Sequence, residues 1–392
     1  MELNNTPGSE RVRIGFFGLR NAGKSSLVNR VTNQEMSLVS DVKGTTTDPV
    51  QKSMELLPLG PVTIIDTPGF DDEGALGELR VKKTVQTLAT CDIAVLVTDA
   101  TRPLTEAENR LLADIRSRNI PCLIAKNKCD LVSAHGEGLF VSAKTGFGIE
   151  ELKNSIAAAL PAGQKTIRYV GDFVSPGEWV VLVTPIDSAA PKGRMILPQQ
   201  QAIRDILDAG AVSVVTGVEN LPQTLARLTE PPALVITDSQ AFAAVAAEVP
   251  EDIPLTSFSI LMARYKGFLE TAVRGAAAID GLHNGDKVLI CEGCTHHRQC
   301  EDIGTVKLPR LLAAHTKKEL SLCFTSGHGF PEDLSPYALV IHCGGCMLHD
   351  NEMRERMKSA AAAGVPMTNY GIAIAHMNGI LQRSIAPVLS LL

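Results

Sequence analysis

A glycine-rich segment between an apolar strand and a helix constrains the fold of this chain more than any other feature. Residues 18–25 read GLRNAGKS and fit the pattern G-x-x-x-x-G-K-S/T, directly after the apolar stretch VRIGFFG. In this arrangement the backbone amides close around phosphates, Lys24 neutralises their β and γ oxygens, and the Ser25 hydroxyl ligates Mg²⁺. The predicted phosphate contacts are Asn21, Ala22, Gly23, Lys24, Ser25 and Ser26.

Three further motifs follow in the order expected for a guanine nucleotide site. Residues 66–69 (DTPG) end an apolar strand, as a Mg²⁺-site carboxylate and a glycine that senses the γ-phosphate would. In residues 127–130 (NKCD), the Asp130 carboxylate can accept both N1–H and N2–H of guanine, a match that adenine cannot make. In residues 142–144 (SAK), a backbone amide can meet guanine O6. These motifs predict GTP as the ligand, with contacts from Asp66, Gly69, Asn127, Lys128, Asp130, Ser142, Ala143 and Lys144.

Strand-like and helix-like patterns alternate along almost the whole chain, which predicts α/β layers with largely parallel sheets. The 392 residues are enough for two or three domains. We predict a P-loop GTP-binding domain at 1–165 and two smaller α/β domains at 166–259 and 260–392. Residues 161–179 are rich in proline and glycine and show no periodicity, so we interpret them as a linker.

Composition argues against several classes of partner. The net charge of −6 excludes a global basic field that would attract nucleic acid or an anionic membrane, and aromatic residues make up only 4% of the chain. No apolar stretch reaches the roughly 18 residues of a membrane span, and the polar N-terminus has no signal-peptide core. We therefore expect a cytoplasmic protein whose cysteines are reduced.

The first block resembles the TrmE–Era branch of translation-factor-like GTPases across its full length. Asn21 and the segment GTTTD at 44–48 are similar to the pattern of the potassium-activated members of that branch. By position, the resemblance implies that Asn21 and Thr45 ligate K⁺, which takes the place of an arginine finger. It also implies that Thr46 closes on Mg²⁺ together with Ser25.

The residue that orients the attacking water is less constrained. Phe70 stands where Ras-like enzymes place a glutamine, and an apolar ring cannot hydrogen-bond water. Glu78, twelve residues after Asp66, has the spacing of the catalytic glutamate in the TrmE-like group, although a solvent-exposed helical glutamate would look the same. Asp71, Asp72 and Glu73 are rival candidates. The predicted catalytic set is Lys24, Thr46, Gly69 and Glu78.

A second constellation lies in the last third of the chain, where six of the nine cysteines fall between residues 291 and 346. Residues 294–296 (CTH) and 342–346 (HCGGC) each end a predicted strand, and the carboxyl ends of parallel strands gather ligands. Three thiolates suit an iron–sulfur cluster with one iron left for a weaker ligand. The predicted cluster ligands are Cys294, Cys343 and Cys346, and the candidates for the fourth ligand are Glu301, His296, His342 and Cys300.

Alternatives for this constellation remain. His296 and His342 would be explained equally well by hydrogen bonds to cluster sulfur. We favour Glu301 as the exchangeable ligand, because a carboxylate binds iron weakly enough to be displaced. A closed zinc site with three cysteines and one histidine would be purely structural, and a lone C-x-x-C pair also suits redox chemistry.

Taken together, the GTPase block, the middle α/β block and the C-x-H…H-C-x-x-C block resemble the [FeFe]-hydrogenase maturation GTPases over the whole chain. The resemblance implies a homodimer, with the middle block as the dimerisation domain. It also implies a [4Fe–4S] cluster and a transient di-iron subcluster precursor. Radical-SAM maturases would load this precursor, and the chain would deliver it to the apo-hydrogenase.

The alternative function is a TrmE- or Era-like GTPase of tRNA modification or ribosome assembly with a structural zinc domain. The acidic balance and the scarcity of aromatic residues speak against RNA.

Overall fold

The structure, a computed structural model, describes residues 6–33, 49–70, 75–132, 138–160, 167–185, 195–293, 303–327 and 329–389, with only the backbone described for 75–80 and 82. The chain divides into two compact units, Met1–Gln164 and Lys165–Leu392. Each unit combines helices with largely parallel sheets, which confirms the predicted α/β class. Within the described ranges, no helix is both long and apolar enough to cross a membrane.

The first unit contains a six-stranded sheet with the order β2-β3-β1-β4-β5-β6. Only β2, at one edge, pairs antiparallel with its neighbour. The central strands are almost continuously buried, as expected for a sheet covered on both faces. The elements are β1 (Val12–Gly18), α1 (Lys24–Thr32), β2 (Val50–Leu56), β3 (Gly60–Asp66), α2 (Ala75–Leu88), β4 (Ile93–Asp99), α3 (Glu106–Ser117), β5 (Cys122–Asn127), β6 (Leu139–Phe140) and α4 (Ile149–Ala159).

The second unit contains two four-stranded parallel sheets, ordered β10-β9-β7-β8 and β12-β11-β13-β14. The elements of the first sheet and its helices are β7 (Trp179–Val183), α5 (Leu197–Asp208), β8 (Val212–Thr216), α6 (Leu221–Arg227), β9 (Leu234–Thr237), α7 (Phe242–Glu248), β10 (Leu255–Ser257) and α8 (Phe258–Tyr265). Those of the second are α9 (Leu269–Ala276), β11 (Lys287–Glu292), α10 (Leu308–Thr316), β12 (Ser321–Ser326), β13 (Leu339–His342), α11 (Asp350–Ala362), β14 (Met367–Asn369), α12 (Tyr370–Met377) and α13 (Leu381–Leu389).

The two sheets of the second unit share one apolar core. Leu182 of β7 and Phe258 of α8 belong to the same buried cluster as Leu289 of β11, Val340 of β13 and Ile372 of α12. The predicted division between residues 259 and 260 therefore runs through this shared core.

The predicted linker at 161–179 is wrong in its extent, because its later residues pack into the second unit. Tyr169 and Val170 are buried. The Asp205 carboxylate accepts hydrogen bonds from the amides of Val170 and Gly171 at 2.6 and 2.7 Å. Gly171 begins a short 3₁₀ helix and Pro176 and Gly177 form a turn, and composition alone does not reveal the tertiary contacts that hold this part of the segment.

Candidate functional site: a nucleotide loop and a cysteine turn

The phosphate-binding loop connects β1 to α1 in the geometry that its glycines predict. Asn21 and Gly23 adopt left-handed backbone conformations (φ 62° and 79°), and α1 begins at Lys24. A side chain at Gly18 would place its Cβ 2.6 Å from the Val97 carbonyl oxygen, so only glycine fits there. The loop therefore leads into a helix N-terminus, where unpaired amides and the helix dipole favour an anion.

Lys24 and Asp66 form a buried ion pair in this loop. Asp66 ends β3, and the next residue, Thr67, donates its hydroxyl to the Phe16 carbonyl at 2.8 Å. This bond holds the DTPG segment against β1. The lysine predicted to bind phosphate thus lies beside the carboxylate predicted at the Mg²⁺ site. Phe70 is buried in the apolar cluster behind the segment.

Asn127 brings the base-recognition motifs to the phosphate-binding loop. Its Nδ2 donates to the Ala22 carbonyl at 2.9 Å, and its Oδ1 accepts from the Ala143 amide at 3.0 Å. Ser142 Oγ donates to Asp130 Oδ1 at 2.6 Å, which orients the carboxylate predicted to read guanine. Three segments far apart in sequence therefore converge on one site.

Lys128, within the base-recognition motif, is held by Asp99 at the end of β4. It adopts a left-handed conformation, and its Nζ donates to Asp99 at 2.6 Å. Burial opposes the charge on Asp99, but the hydrogen bonds from Lys128 and Thr101 outweigh it and lower the pKa of Asp99 to about 2. The carboxylate therefore stays ionised at neutral pH and holds the lysine stem in place.

Several predicted residues lie outside the described part of the first unit. Thr45 and Thr46, predicted at K⁺ and Mg²⁺, fall there, as do Asp71, Asp72 and Glu73. Glu78 belongs to α2, but its side chain is outside what the structure describes. Their catalytic and metal-binding roles stay predictions.

The second constellation is assembled around Cys343. Its amide donates to the Cys291 carbonyl at 2.8 Å, and its Sγ accepts hydrogen bonds from the amides of Gly293 (3.0 Å) and Gly345 (3.4 Å). Gly293 immediately precedes Cys294, so the carboxyl ends of β11 and β13 bring the residue before the first half of the motif against Cys343. Cys294 itself lies outside the described residues, together with His296, Cys300 and Glu301.

Cys346 is half-buried on the other side of the glycine turn, where Gly345 is left-handed (φ 68°). Burial raises the pKa of the Cys346 thiol, and the nearby Lys266 ammonium opposes this effect. Lys266 also donates to the Leu348 carbonyl at 2.8 Å and pairs with Asp350 at 2.9 Å. A lysine that follows α8 thus secures the turn between Cys343 and α11.

His342 is fully buried, and both of its ring nitrogens are engaged. Nδ1 contacts the Cys343 carbonyl at 2.8 Å, and Nε2 contacts the Arg356 guanidinium at 2.8 Å. Burial lowers the pKa of His342 to about 4, and the positive charge of Arg356 adds to this effect. A neutral ring with its proton on Nδ1 satisfies both contacts. In this arrangement Nε2 accepts from Arg356, which leaves no lone pair for iron.

The donor set fits an iron–sulfur cluster. Cys343 Sγ already accepts two amide hydrogen bonds, an interaction that tunes cluster sulfurs in proteins. The Gly344–Gly345 turn keeps Cys343 and Cys346 on one loop, and a Cβ at Gly293 would lie 2.8 Å from Leu348 Cγ. Cys343 and Cys346 would hold the cluster, with Cys294 predicted as the third thiolate.

Sequence reasoning missed the residues that support this turn, above all Arg356, Glu352 and Lys266. Glu352 and Arg356 form an i,i+4 ion pair on the buried face of α11, at 2.7 Å. The sequence does place a Glu–Arg pair with helical i,i+4 spacing soon after the HCGGC segment, and this spacing could have predicted the ion pair. Nothing in the sequence pointed to Lys266, because it contacts the turn from a different part of the chain.

The chain matches three known family models along its length. Residues 13–128 match the family described as 50S ribosome-binding GTPase. Residues 169–267 match the hydrogen maturase F dimerization domain, and residues 270–387 match the hydrogen maturase F tetramerization domain. The chain belongs to the hydrogen maturase F family. Its first unit is a GTPase domain, and the family is that of GTPases in hydrogenase maturation.

The curated relatives are GTPases that match the chain over part of its length. GTPase Der of Clostridium acetobutylicum is 30% identical over 171 residues, which cover 38% of this chain and 39% of the relative. GTPase Der of Stenotrophomonas maltophilia is 32% identical over 187 residues (42% and 40%). The tRNA modification GTPase MnmE of Helicobacter pylori is 28% identical over 212 residues (53% and 46%). The chain therefore spans less than half the length of each of these relatives.

Proposed function

We propose that this chain hydrolyses GTP and serves as an iron–sulfur scaffold and carrier in [FeFe]-hydrogenase maturation. The main observation in favour of the iron–sulfur role is the hydrogen bond from the Gly293 amide to Cys343 Sγ at 3.0 Å. It brings the residue next to Cys294 against the Cys343–Cys346 turn. Both C-terminal regions match hydrogen maturase F domains, which supports a role in hydrogenase maturation.

In the GTPase domain, Lys24 neutralises phosphate charge and Asp130 selects guanine. Ser25 and Thr46 would ligate Mg²⁺, while Asn21 and Thr45 would ligate K⁺. These cations supply positive charge to the phosphates as the γ-phosphoryl group leaves. Glu78 is the proposed residue for orienting water, since the Phe70 ring is buried and cannot accept a hydrogen bond.

In the second unit, Cys294, Cys343 and Cys346 would hold a [4Fe–4S] cluster, and Glu301 would be its exchangeable fourth ligand. The cluster would supply a site to which the di-iron subcluster precursor attaches. His342 is a positioning residue: its ring hydrogen-bonds the Cys343 carbonyl and is itself held by Arg356. Burial raises the pKa of the Cys346 thiol, so the thiol is protonated in the metal-free protein and gives up its proton when it binds iron.

We further propose that the chain is a homodimer in the cytoplasm and works with radical-SAM maturases and apo-hydrogenase. The dimerization-domain match supports self-association. β8 lies at the edge of its sheet and exposes Val212 and Val215, so its free backbone groups could pair with the same strand of a second copy.

Deletion of the gene, followed by complementation, tests the pathway. We expect the deleted strain to accumulate apo-hydrogenase that lacks its di-iron subcluster, and the wild-type gene to restore activity. Complementation with Cys343→Ser should fail, whereas Cys323→Ser, a half-buried cysteine of β12, should restore activity. Normal hydrogenase activity in the deleted strain would contradict the proposal.

Anaerobic reconstitution tests the cluster separately. The reduced protein should give the EPR signal of a [4Fe–4S] cluster, and each of Cys294→Ser, Cys343→Ser and Cys346→Ser should lose it. Glu301→Ala should keep a cluster with an altered spectrum. Full loss in Cys300→Ser, with no effect at Glu301, would indicate a site closed by four cysteines.

A further inference from the structure

Asp280, His315 and His376 form a cluster outside both sites. His315 Nε2 lies 2.8 Å from Asp280 Oδ1, and His376 Nε2 lies 3.0 Å from Asp280 Oδ2. The potential ligand atoms of the three side chains all lie within 4.8 Å of one another. The hydrogen bond from His315, together with the charge and hydrogen bond of His376, lowers the pKa of Asp280, so its carboxylate is ionised.

Three helical segments end at this cluster. His315 lies in the last turn of α10, His376 lies in the last turn of α12, and Asp280 follows the 3₁₀ turn Ala277–Ile279 that continues α9. Each helix C-terminus carries partial negative charge from its unpaired carbonyls. The carboxylate and the surrounding dipoles therefore favour positive charge at this point, which protonated imidazoles or a bound cation can supply.

The cluster lies at the amino ends of the strands, whereas the cysteine turn lies at their carboxyl ends. Asp280 and His315 precede the amino ends of β11 and β12, whereas Cys343 follows the carboxyl end of β13. All strands of this sheet are parallel, so their amino ends share one edge. α12 starts at the carboxyl end of β14 and places His376 in its last turn, beside Asp280. The cluster is therefore separate from the predicted iron site.

We propose that Asp280, His315 and His376 form a binding site for a divalent transition-metal ion, with Zn²⁺ as the ion that the donors fit best. Two imidazoles and one carboxylate are common zinc ligands, whereas Mg²⁺ and Ca²⁺ prefer oxygen donors throughout. The half-buried histidines and the exposed Asp280 leave room for water as the remaining ligand.

The side chains must adjust to enclose a metal. In a tetrahedral site with metal–ligand bonds of about 2.0–2.1 Å, neighbouring ligand atoms lie about 3.3 Å apart. The histidines contact different oxygens of Asp280, at 2.8 and 3.0 Å, and the three ligand atoms lie within 4.8 Å of one another, so separations change by at most about 1.5 Å on binding. Each Nε2 that donates to the carboxylate releases its proton to solvent and offers its lone pair to the metal, so binding weakens as the pH falls.

The site would fasten one end of α10. This helix follows the segment that contains Cys294, and its other end carries His315. A metal bound at the cluster would cross-link α10, α12 and the end of α9, and would stabilise the folded state by an amount that rises with the logarithm of the free metal concentration above the Kd. It would contribute no ligand to the iron–sulfur cluster.

Cobalt titration of the full chain tests this site. The chain is first reconstituted with iron and sulfide and kept in excess Mg²⁺ and GDP, so that the cysteine and nucleotide sites are filled. We expect one Co²⁺ per chain by equilibrium dialysis. In the difference spectrum against the same iron–sulfur protein without Co²⁺, we expect visible d–d bands but no near-ultraviolet band from thiolate ligation. His315→Asn, His376→Asn and Asp280→Asn should each weaken binding by more than about 100-fold, since they remove a direct ligand.

His283→Asn is the matched control. His283 is exposed, and its Nδ1 lies 3.7 Å from an Asp286 carboxylate oxygen. This pair contains one histidine, whereas the proposed site contains two. This variant should bind Co²⁺ as the wild type does. Iron content and GTP binding report whether the ligand variants remain folded.

A measurement on the unaltered chain covers the case in which a variant fails to fold. Zn²⁺ should slow the modification of His315 and His376 by diethyl pyrocarbonate at least tenfold, about 1.4 kcal/mol, and leave His283 unaffected. Equal modification rates with and without Zn²⁺, or the same Co²⁺ spectrum in His315→Asn and wild type, would show that the cluster is only an imidazolium–carboxylate contact.

Discussion

At the scale of single residues, the side chain of Asn127 organises the nucleotide site. It contacts the phosphate-binding loop through the Ala22 carbonyl and the base-recognition segment through the Ala143 amide. Asp130 is held by Ser142 in the same way. The specificity of the site for guanine therefore depends on carboxylate and amide groups whose orientation is already fixed by protein contacts.

Asp130→Asn should shift the preference of the protein from guanine to xanthine nucleotides. The amide cannot accept both hydrogen bonds from guanine, and each unpaired buried polar group costs about 1–3 kcal/mol. Competition between GTP and XTP in equilibrium binding measures the change. Asp114→Asn, in a half-buried ion pair with Arg118 on α3, is the control and should not alter binding. Wild-type affinity for GTP in Asp130→Asn would falsify this role.

Asn21→Gly should abolish the activation of GTP hydrolysis by K⁺. Glycine preserves the left-handed backbone at φ 62° but removes the proposed K⁺ ligand. Turnover in K⁺ should fall to the level measured in Na⁺. Asn33→Gly is the matched control, because Asn33 is also left-handed but caps the end of α1. Equal wild-type rates in K⁺ and Na⁺ would exclude potassium activation.

At the scale of elements, α11 stabilises the cysteine turn from its buried face. Arg356 donates to Glu352 at 2.7 Å and to the Gly327 carbonyl at 2.6 Å, and its guanidinium contacts His342. The guanidinium also lies 5.1 Å from the centre of the Phe330 ring. One arginine therefore connects the helix to β13 and to the end of β12.

Arg356→Met should destabilise the second unit by about 3 kcal/mol, because it leaves the buried Glu352 without its counter-charge. Urea denaturation of the metal-free protein measures the change. Arg354→Met, on the exposed face of the same helix, should change the free energy of unfolding by less than about 0.5 kcal/mol. A similar loss in both variants would show that the arginine network contributes little.

Gly293→Ala should reduce cluster retention without affecting GTP hydrolysis. The added Cβ would lie 2.8 Å from Leu348 Cγ and 3.5 Å from Cys343 Sγ, so the end of β11 must move away from the turn. Iron content after reconstitution measures the effect. Gly217→Ala is the control, since its Cβ would meet nothing within 4 Å. Full iron content in Gly293→Ala would mean that the two halves need not approach so closely.

The sequence predicts the main elements well where a strand is buried and uninterrupted. The apolar stretch at 12–18, directly before the glycine-rich segment, is β1, because this strand lies inside a parallel sheet. The sequence pattern does not predict β2 or the two-residue β6, since edge strands carry a weaker apolar signal. The nucleotide motifs were predictable from local spacing. The contacts of Lys266 and Asp205 were not, because their partners are distant in sequence.

At the scale of the whole molecule, the exposed edge of the β7–β10 sheet supports the proposed dimer. β8 presents Val215 with 45% of its surface exposed and Val212 with 36%. An edge strand with exposed β-branched residues readily pairs with another chain.

Val215→Arg should shift the protein from dimer to monomer, because two arginines near a symmetric strand pair would repel each other. Light scattering coupled to gel filtration measures the molar mass. Val81→Arg, at an exposed position in the GTPase domain with 46% of its surface accessible, should leave the mass unchanged. A dimer that persists in Val215→Arg would place the interface elsewhere.

The shared core of the second unit has a consequence for how the chain loses its structure. Since Leu182 and Phe258 pack in the same cluster as Leu289 and Ile372, neither four-stranded sheet can open without exposing apolar surface of the other. Backbone amides in β7 and β11 should therefore exchange with deuterium through one common opening event. The two regions that match separate family models should thus unfold as a single cooperative unit. If they were expressed separately, each would expose apolar residues that the other covers in the full chain.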